Sequence, residues 1–223
     1  MDTIYRGDLA SKAGRRNAWI DALFVDHALL RLGWTNFAAV EPAVLYRSNH
    51  PLPGHLRRYV AQVGLRSVVN LRGPCANGSD ALSREAASRL GLEFYDMALE
   101  SRGAPQRARI MRLAEIYQTM ARPGLIHCKS GADRAGLAAA LYVLIAGGSS
   151  AQAQAQLSWR FGHIKQSNTG ILDAFIATYA REAEGRIGFL DWVASEYDEA
   201  ALRAQFKAQG LARFVNDRVL RRE

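Results

Sequence analysis

The segment Ile126-His127-Cys128-Lys129-Ser130-Gly131-Ala132-Asp133-Arg134-Ala135-Gly136 constrains this chain more than any other. Upstream, Leu125-Ile126-His127 follows Gly124 and reads as the end of a short buried strand. Downstream, positions 135–145 are rich in Ala and Leu and read as a helix. A strand that turns directly into a helix sets Cys128 over the first helical turn. The backbone N–H groups there have no partner inside the helix, and they favour an anion.

Five residues separate Cys128 from Arg134. That spacing wraps a sulfur, a row of N–H groups and a guanidinium around one phosphate-sized anion. A free thiol titrates near ~8.5, and a helix N-terminus with a nearby cation lowers it to roughly 3.5–7.5, which populates the nucleophilic thiolate. The pattern predicts attack by Cys128 on phosphorus and a phosphocysteine that water hydrolyses, with no metal or organic cofactor. Arg134 offers a planar fork that binds two phosphoryl oxygens and follows them into the transition state. Lys129, Ser130, Gly131, Ala132, Asp133 and Arg134 form the expected phosphate cradle. Gly131 lets the backbone adopt φ > 0. Lys129 places charge at the mouth, and His127 is expected to order the loop and tune Cys128.

A leaving group needs a proton. Asp133 lies inside the loop and is the first choice; Asp96 and Glu100, in the segment Phe94 to Arg102, are its rivals, and an ion pair to one of the arginines is the plain alternative for each. Arg102 is a candidate substrate contact from the 100–105 loop. Arg72, at the end of a predicted strand, reads equally as a pocket-rim residue or a surface ion pair. Cys75 reads as a small apolar residue, with a protective disulfide to Cys128 as the sharper alternative. His163, Lys165 and Asn168 are further polar candidates to approach the pocket.

With these residues in view, the chain resembles the cysteine-dependent protein tyrosine phosphatase superfamily, in its dual-specificity-like bacterial branch. His127-Cys128 to Arg134 is similar to that signature; Leu45 to Pro51, Gly64 to Gly73 and Gly162 to Phe175 resemble further segments of bacterial members. The resemblance implies a phosphatase. It also implies Asp133 as the acid, as in bacterial broad-specificity members, while Lys129 resembles the phosphoinositide phosphatases. Two departures stand out. Ser101-Arg102-Gly103-Ala104-Pro105 occupies the place of the usual Trp-Pro-Asp loop and holds no Asp, and Ala135 replaces the Ser or Thr that helps the thiolate leave.

The net charge is +8, and the 29 basic residues include only four lysines, leaving 25 arginines. Arginine suits bidentate phosphate contacts, so a phosphorylated protein or phospholipid substrate fits, beside the plain reading of a solvated Arg-rich surface. No nucleic-acid reader motif is present. Two cysteines make no disulfide framework and suggest a reducing, cytoplasmic setting, and the five histidines show no metal-ligand spacing. No secretory signal or bilayer-spanning run is seen.

The alternation of predicted strands (44–46, 67–71, 93–97, 125–127) with helices (56–63, 80–90, 106–121) argues for an α/β fold. Its core is a central four- to five-stranded, mainly parallel sheet with helices on both faces. Residues 1–40 read as a helical N-terminal extension whose Trp19, Ile20, Leu23, Phe24 and Leu30 pack on the domain. A basic amphipathic helix lying peripherally on a membrane is the alternative. Residues 41–223 read as the phosphatase domain, helical from Ser150 onward over 151–158, 170–183, 187–196 and 199–208. Nothing in the sequence speaks to oligomeric state. Two other functions compete: a phosphate-binding module without turnover, and a rhodanese-like sulfur transferase, whose loops are one residue shorter. Low-molecular-weight phosphatases share the spacing but carry it near the N-terminus.

Overall fold

Strand β5 (Gly124–His127) is buried at all four positions because it has a parallel partner on each side. A computed structural model describes residues 3–208, and the end of the predicted 41–223 domain, 209–223, lies outside the described residues. On one side β5 pairs with β2 (Leu45–Ser48), which pairs antiparallel with β1 (Ala38–Glu41). On the other it pairs with β3 (Ser67–Asn70), followed by β4 (Glu93–Asp96). The order is therefore β1-β2-β5-β3-β4, a mainly parallel five-stranded sheet.

The two-residue period of a strand explains why both faces carry helices. Val68 and Leu125 point to one face, where they meet Leu56 and Tyr59 of α2 (Pro53–Val63) and Ala86 and Ala87 of α3 (Gly78–Arg89). Their neighbours Val69 and Ile126 point to the other, into the main core with α4 (Arg107–Thr119) and α5 (Asp133–Ile145). Helix α5 is buried almost all round, which its run of Ala, Gly and Leu permits. An added Cβ at Gly136 would come 2.8 Å from Leu157 Cδ2 and 3.0 Å from the Gln156 carbonyl oxygen. The later helices, α6 (Ser150–Gln154), α7 (Ile171–Glu182) and α8 (Phe189–Ser195), complete this core with Phe175, Tyr179, Phe189 and Trp192. The chain is helical again over 199–208.

The N-terminal stretch differs from its expected form. It consists of α1 (Lys12–Ile20), a π-helical turn (Asp21–Val25) and a 3-10 turn (Ala28–Arg31), not one continuous amphipathic helix. Ala18, Ala22 and Ala28 are buried against Leu52 and Leu82, with Trp19 and Leu23 half-buried around them. Ile20, Phe24 and Leu30 are exposed, contrary to expectation: Ile20 lies on the face of α1 opposite buried Ala18, and Phe24 and Leu30 follow the change of helical phase at Asp21. Asp21 itself is buried: its carboxylate accepts from the Gly78 N–H at 2.7 Å, tying the segment to the start of α3. β1 straddles position 40, so the edge strand links the extension to the sheet.

Candidate active site

Ser48, His127 and Asn70 end three adjacent parallel strands at the same level. Ligands collect at such carboxyl ends in α/β sheets. The loop 128–132 rises from β5 at this point and feeds directly into α5. Its carbonyl groups are held from outside. The His50 N–H donates to the Lys129 oxygen at 3.2 Å, and Asn36 Nδ2 to the Ser130 oxygen at 3.1 Å. Arg47 Nη2 donates to the oxygens of Gly131 and Ala132 at 2.8 and 3.2 Å. With four successive oxygens turned outward, the planar peptides turn their N–H groups to the opposite, inner side of the loop. The Gly131 N–H donates to Cys128 Sγ at 3.2 Å.

Gly131 has φ +76°, and a Cβ there would lie 2.7 Å from the Asn49 nitrogen. Only glycine meets both demands, the left-handed backbone and the close approach to β2's end.

Cys128 is only 2% exposed, and it lies in the floor of a cavity of about 540 Å³. Lys129, Ser130, Asp133, Arg134, Ser101 and Arg102 line that cavity, as do Asp26, Leu30, Arg31 and Trp34 of the N-terminal stretch. The sequence-predicted Cys128, Lys129, Ser130, Asp133, Arg134 and Arg102 are thus brought together. Among the described residues Arg134 has no carboxylate partner, so its guanidinium is available to an anion. Both cysteines are free thiols, and Cys75 Sγ donates to the Gly73 oxygen.

The other candidates sit elsewhere. Asp96 is ion-paired with Arg84 at 2.6 Å and Glu100 with Arg109 at 2.7 Å, and neither lines the cavity. Arg72 is neither a free rim residue nor a surface ion pair. It is largely buried, with 10% of its side chain exposed, and bidentate to Asp26, 3.0 Å on each arm. His127 is fully buried with its ring edge-on to His50, 4.8 Å between centroids. Burial, reinforced by His50 and Arg72, pushes its pKa well below the ordinary value, so it is neutral.

Sequence reasoning missed three charged groups near the loop, Arg47, Asp26 and Asp173. Arg47 is wholly buried; burial brings its pKa down to about 10, and its guanidinium is held by loop carbonyls, Gln156 and the face of Phe161 at 3.8 Å. An arginine in the middle of a buried strand was the available signal, since charge inside a core is rare unless partnered. Asp26 is paired with Arg31 (2.8 Å), Arg72 (3.0 Å) and Lys129 (3.4 Å). Burial raises its pKa, but Arg72 and Arg31 outweigh that and hold the carboxyl well below its usual range. It is an anion, not a proton donor. The third is Asp173, which reaches Asp133 through His163, a residue the sequence had singled out; Lys165 and Asn168, singled out with it, do not line the cavity. These partners lie too far apart in sequence for spacing to reveal them.

Residues 35–172 match the family model described as PTP-SAK, Swiss Army Knife protein, DSP-PTPase phosphatase domain. The chain belongs to this family. It is a cysteine-dependent phosphatase of the protein tyrosine phosphatase superfamily. Its fold is similar to that of P. aeruginosa TpbA, with a TM-score of 0.53 at 18% identity over 77% of this chain and 90% of that one. A TpbA structure in complex with pTyr gives 0.53 at 19% identity, over 72% and 91%. The core catalytic domain of the S. cerevisiae PP-IP phosphatase SIW14, in complex with citrate, gives 0.47 at 19%, over 79% and 94%. No curated protein matches the chain. Among the described residues no helix is long and apolar enough to cross a membrane.

Proposed function

We propose that this phosphatase hydrolyses aryl phosphate monoesters, phosphotyrosine in proteins above all, through Cys128. Sγ attacks phosphorus from the cavity floor. The inward-facing amides of the loop and the guanidinium of Arg134 hold the three non-bridging oxygens as charge develops on them. Asp133, which lines the cavity, gives the leaving oxygen its proton and later takes one from the water that hydrolyses the phosphocysteine. Arg102 and Lys129 meet acidic groups around the phosphate. The observation that carries this reading is the set of four consecutive loop carbonyls, 129 to 132, each bound from outside. That pre-organisation creates an anion cradle around the sulfur before any substrate arrives.

The preference for phosphotyrosine is supported by the cavity's lining. Cys128 is 2% exposed within the cavity, and Leu30 and Trp34 supply apolar surface for an aromatic ring. The pTyr complex of the similarly folded TpbA is consistent with that choice. Two free thiols fit a reducing compartment, and we place the protein in the cytoplasm.

A second reading has an observation of its own. Leu29, Leu30, Leu32, Trp34 and Trp159 are each about half or more exposed, and Leu30 and Trp34 border the cavity. Such a rim beside Lys129 and Arg102 suits a phospholipid headgroup at a membrane surface. A panel of phosphotyrosine peptides, phosphoserine peptides and phosphoinositide vesicles separates the two. Turnover fastest on phosphotyrosine, resistant to chelator and absent in Cys128→Ser, is the expected result. Activity confined to vesicles would move the assignment to lipid, and activity retained by Cys128→Ser would overturn the reading.

A further inference from the structure

His163 bridges two carboxylates, one of which, Asp133, lines the cavity. Its Nδ1 lies 2.8 Å from Asp133 Oδ1 and its Nε2 lies 2.7 Å from Asp173 Oδ2. An ionised carboxylate only accepts, so both ring nitrogens must carry protons and the ring is an imidazolium. Asp173 is fixed in its accepting role by Gln154, whose Nε2 donates to Oδ1 at 2.5 Å. The three groups differ sharply in their access to solvent. Side-chain exposure is 1% for His163 and 3% for Asp173, but 27% for Asp133, which lines the cavity. A proton held by this trio therefore leaves and returns through Asp133.

We propose that His163 is a positioning residue and proton reservoir for Asp133, storing on Nδ1 the proton that Asp133 delivers to the leaving group. This rests on the reading of Asp133 as the acid and extends it. In the first step the Cys128 Sγ–P bond forms and the P–O bond breaks. Asp133 accepts the proton from Nδ1 and passes it to the leaving oxygen, and His163 is left neutral with its Nε2–H on Asp173. In the second step a water oxygen attacks phosphorus and the P–S bond breaks. The water's proton passes to Asp133 and back to Nδ1, so the cycle closes with no net change.

The electrostatics agree with the geometry. Burial opposes charge on the ring, but the hydrogen bonds to Asp133 and Asp173 outweigh it and hold the pKa up at about 9. Among the described residues the charged groups acting on the ring are those two, from the starts of α5 and α7; Gln154 of α6 is neutral. The arrangement also answers the missing acid loop: a carboxylate fixed in the cradle is supplied from behind by a buried base.

The test compares kcat/KM on phenyl phosphate, a poor leaving group, with 4-nitrophenyl phosphate, a good one, in wild type, Asp133→Asn, His163→Gln and the double variant. The ratio between the two substrates does not depend on how much of a variant is folded. His163→Gln is expected to lose about 100-fold on phenyl phosphate, within the usual worth of a general acid, and far less on 4-nitrophenyl phosphate. Asp133→Asn should show the same selectivity, and the double variant should lose no more than the worse single one. The wild-type profile on phenyl phosphate should also fall as pH rises through about 9, a limb absent from His163→Gln. Equal losses on both substrates in His163→Gln, with Asp133→Asn still selective, would overturn the reservoir and leave Asp133 as the acid. Equal losses in Asp133→Asn would overturn that role as well. Asp173→Asn keeps the test open if His163→Gln gives no folded protein. It should move the alkaline limb to lower pH, and an unmoved limb contradicts the proposal.

Discussion

Arg47 Nη2 donates to the Gly131 carbonyl oxygen at 2.8 Å across 84 positions of sequence, and Arg47 has no exposed surface. A buried guanidinium that meets no carboxylate among the described residues is spent on carbonyl dipoles, and it fixes which way the loop's peptides face. Arg47→Lys keeps the charge but cannot bridge Gly131, Ala132 and Gln156 at once. The expected outcome is a rise of about 10-fold or more in the vanadate inhibition constant, the worth of one charge-assisted hydrogen bond. Unchanged vanadate affinity would show that the loop holds its shape without this tie.

Gly131→Ala tests the cradle from the other side. The new methyl group meets the Asn49 nitrogen at 2.7 Å on a backbone with φ +76°. Strain of this kind is worth about 1–3 kcal/mol, and here it is relieved by turning the loop away from the sulfur. Activity is expected to fall by roughly 10- to 100-fold on that scale, with a smaller change in unfolding temperature. Steady-state kinetics beside thermal melts separate the two effects.

Asp26 joins Arg31, Arg72 and Lys129, and it is 5% exposed. Asp26→Asn leaves Arg31 and Arg72 buried without their anion, a change that costs about 3–5 kcal/mol in comparable pairs. Because the folded state holds this carboxyl below its ordinary value of 3.8, its stabilisation is present above that value and lost as pH falls toward the lower folded one. Asp26→Asn should melt lower at neutral pH and show a shallower loss on acidification. Identical melts at pH 7 would contradict the pairing.

The histidines predict opposite limbs of a stability profile. Burial, with Arg72 nearby, brings the pKa of His50 down from 6.5 to about 3, and His127 is lowered too. The unfolded chain therefore takes up protons first, and stability falls as pH drops below 6.5. His163 is raised to about 9, so its contribution is full below 6.5 and disappears as pH climbs to about 9. Urea unfolding across pH should give a maximum near neutrality, and His163→Gln should flatten the alkaline side alone.

How much of this was legible follows from distance along the chain. Cys128 to Arg134 is a local pattern, so the loop, its strand and its helix could be read directly. The parallel strands were legible because Val68-Val69 and Leu125-Ile126 are apolar on both faces. β1 was not, since Ala38-Ala39-Val40-Glu41 is a short, half-buried edge. The ties that orient the loop join residues scores of positions apart: Asn36 to Ser130 and Arg47 to Gly131. Asp26 carries no local signal, and its three cations come from the 3-10 turn, the end of β3 and the loop itself. Periodicity reports which face is buried; it does not report which buried charge meets which.

Sulfur at position 128 as the atom that carries the phosphoryl group is the central claim. Rapid acid quench during turnover of 4-nitrophenyl phosphate, followed by intact and peptide mass spectrometry, tests it most directly. One phosphoryl group on the peptide containing Cys128, absent in Cys128→Ser and accumulating further in Asp133→Asn as water attack slows, is the predicted result. Steady turnover with no phosphorylated Cys128 at any quench time, or phosphate found on another residue, would contradict it.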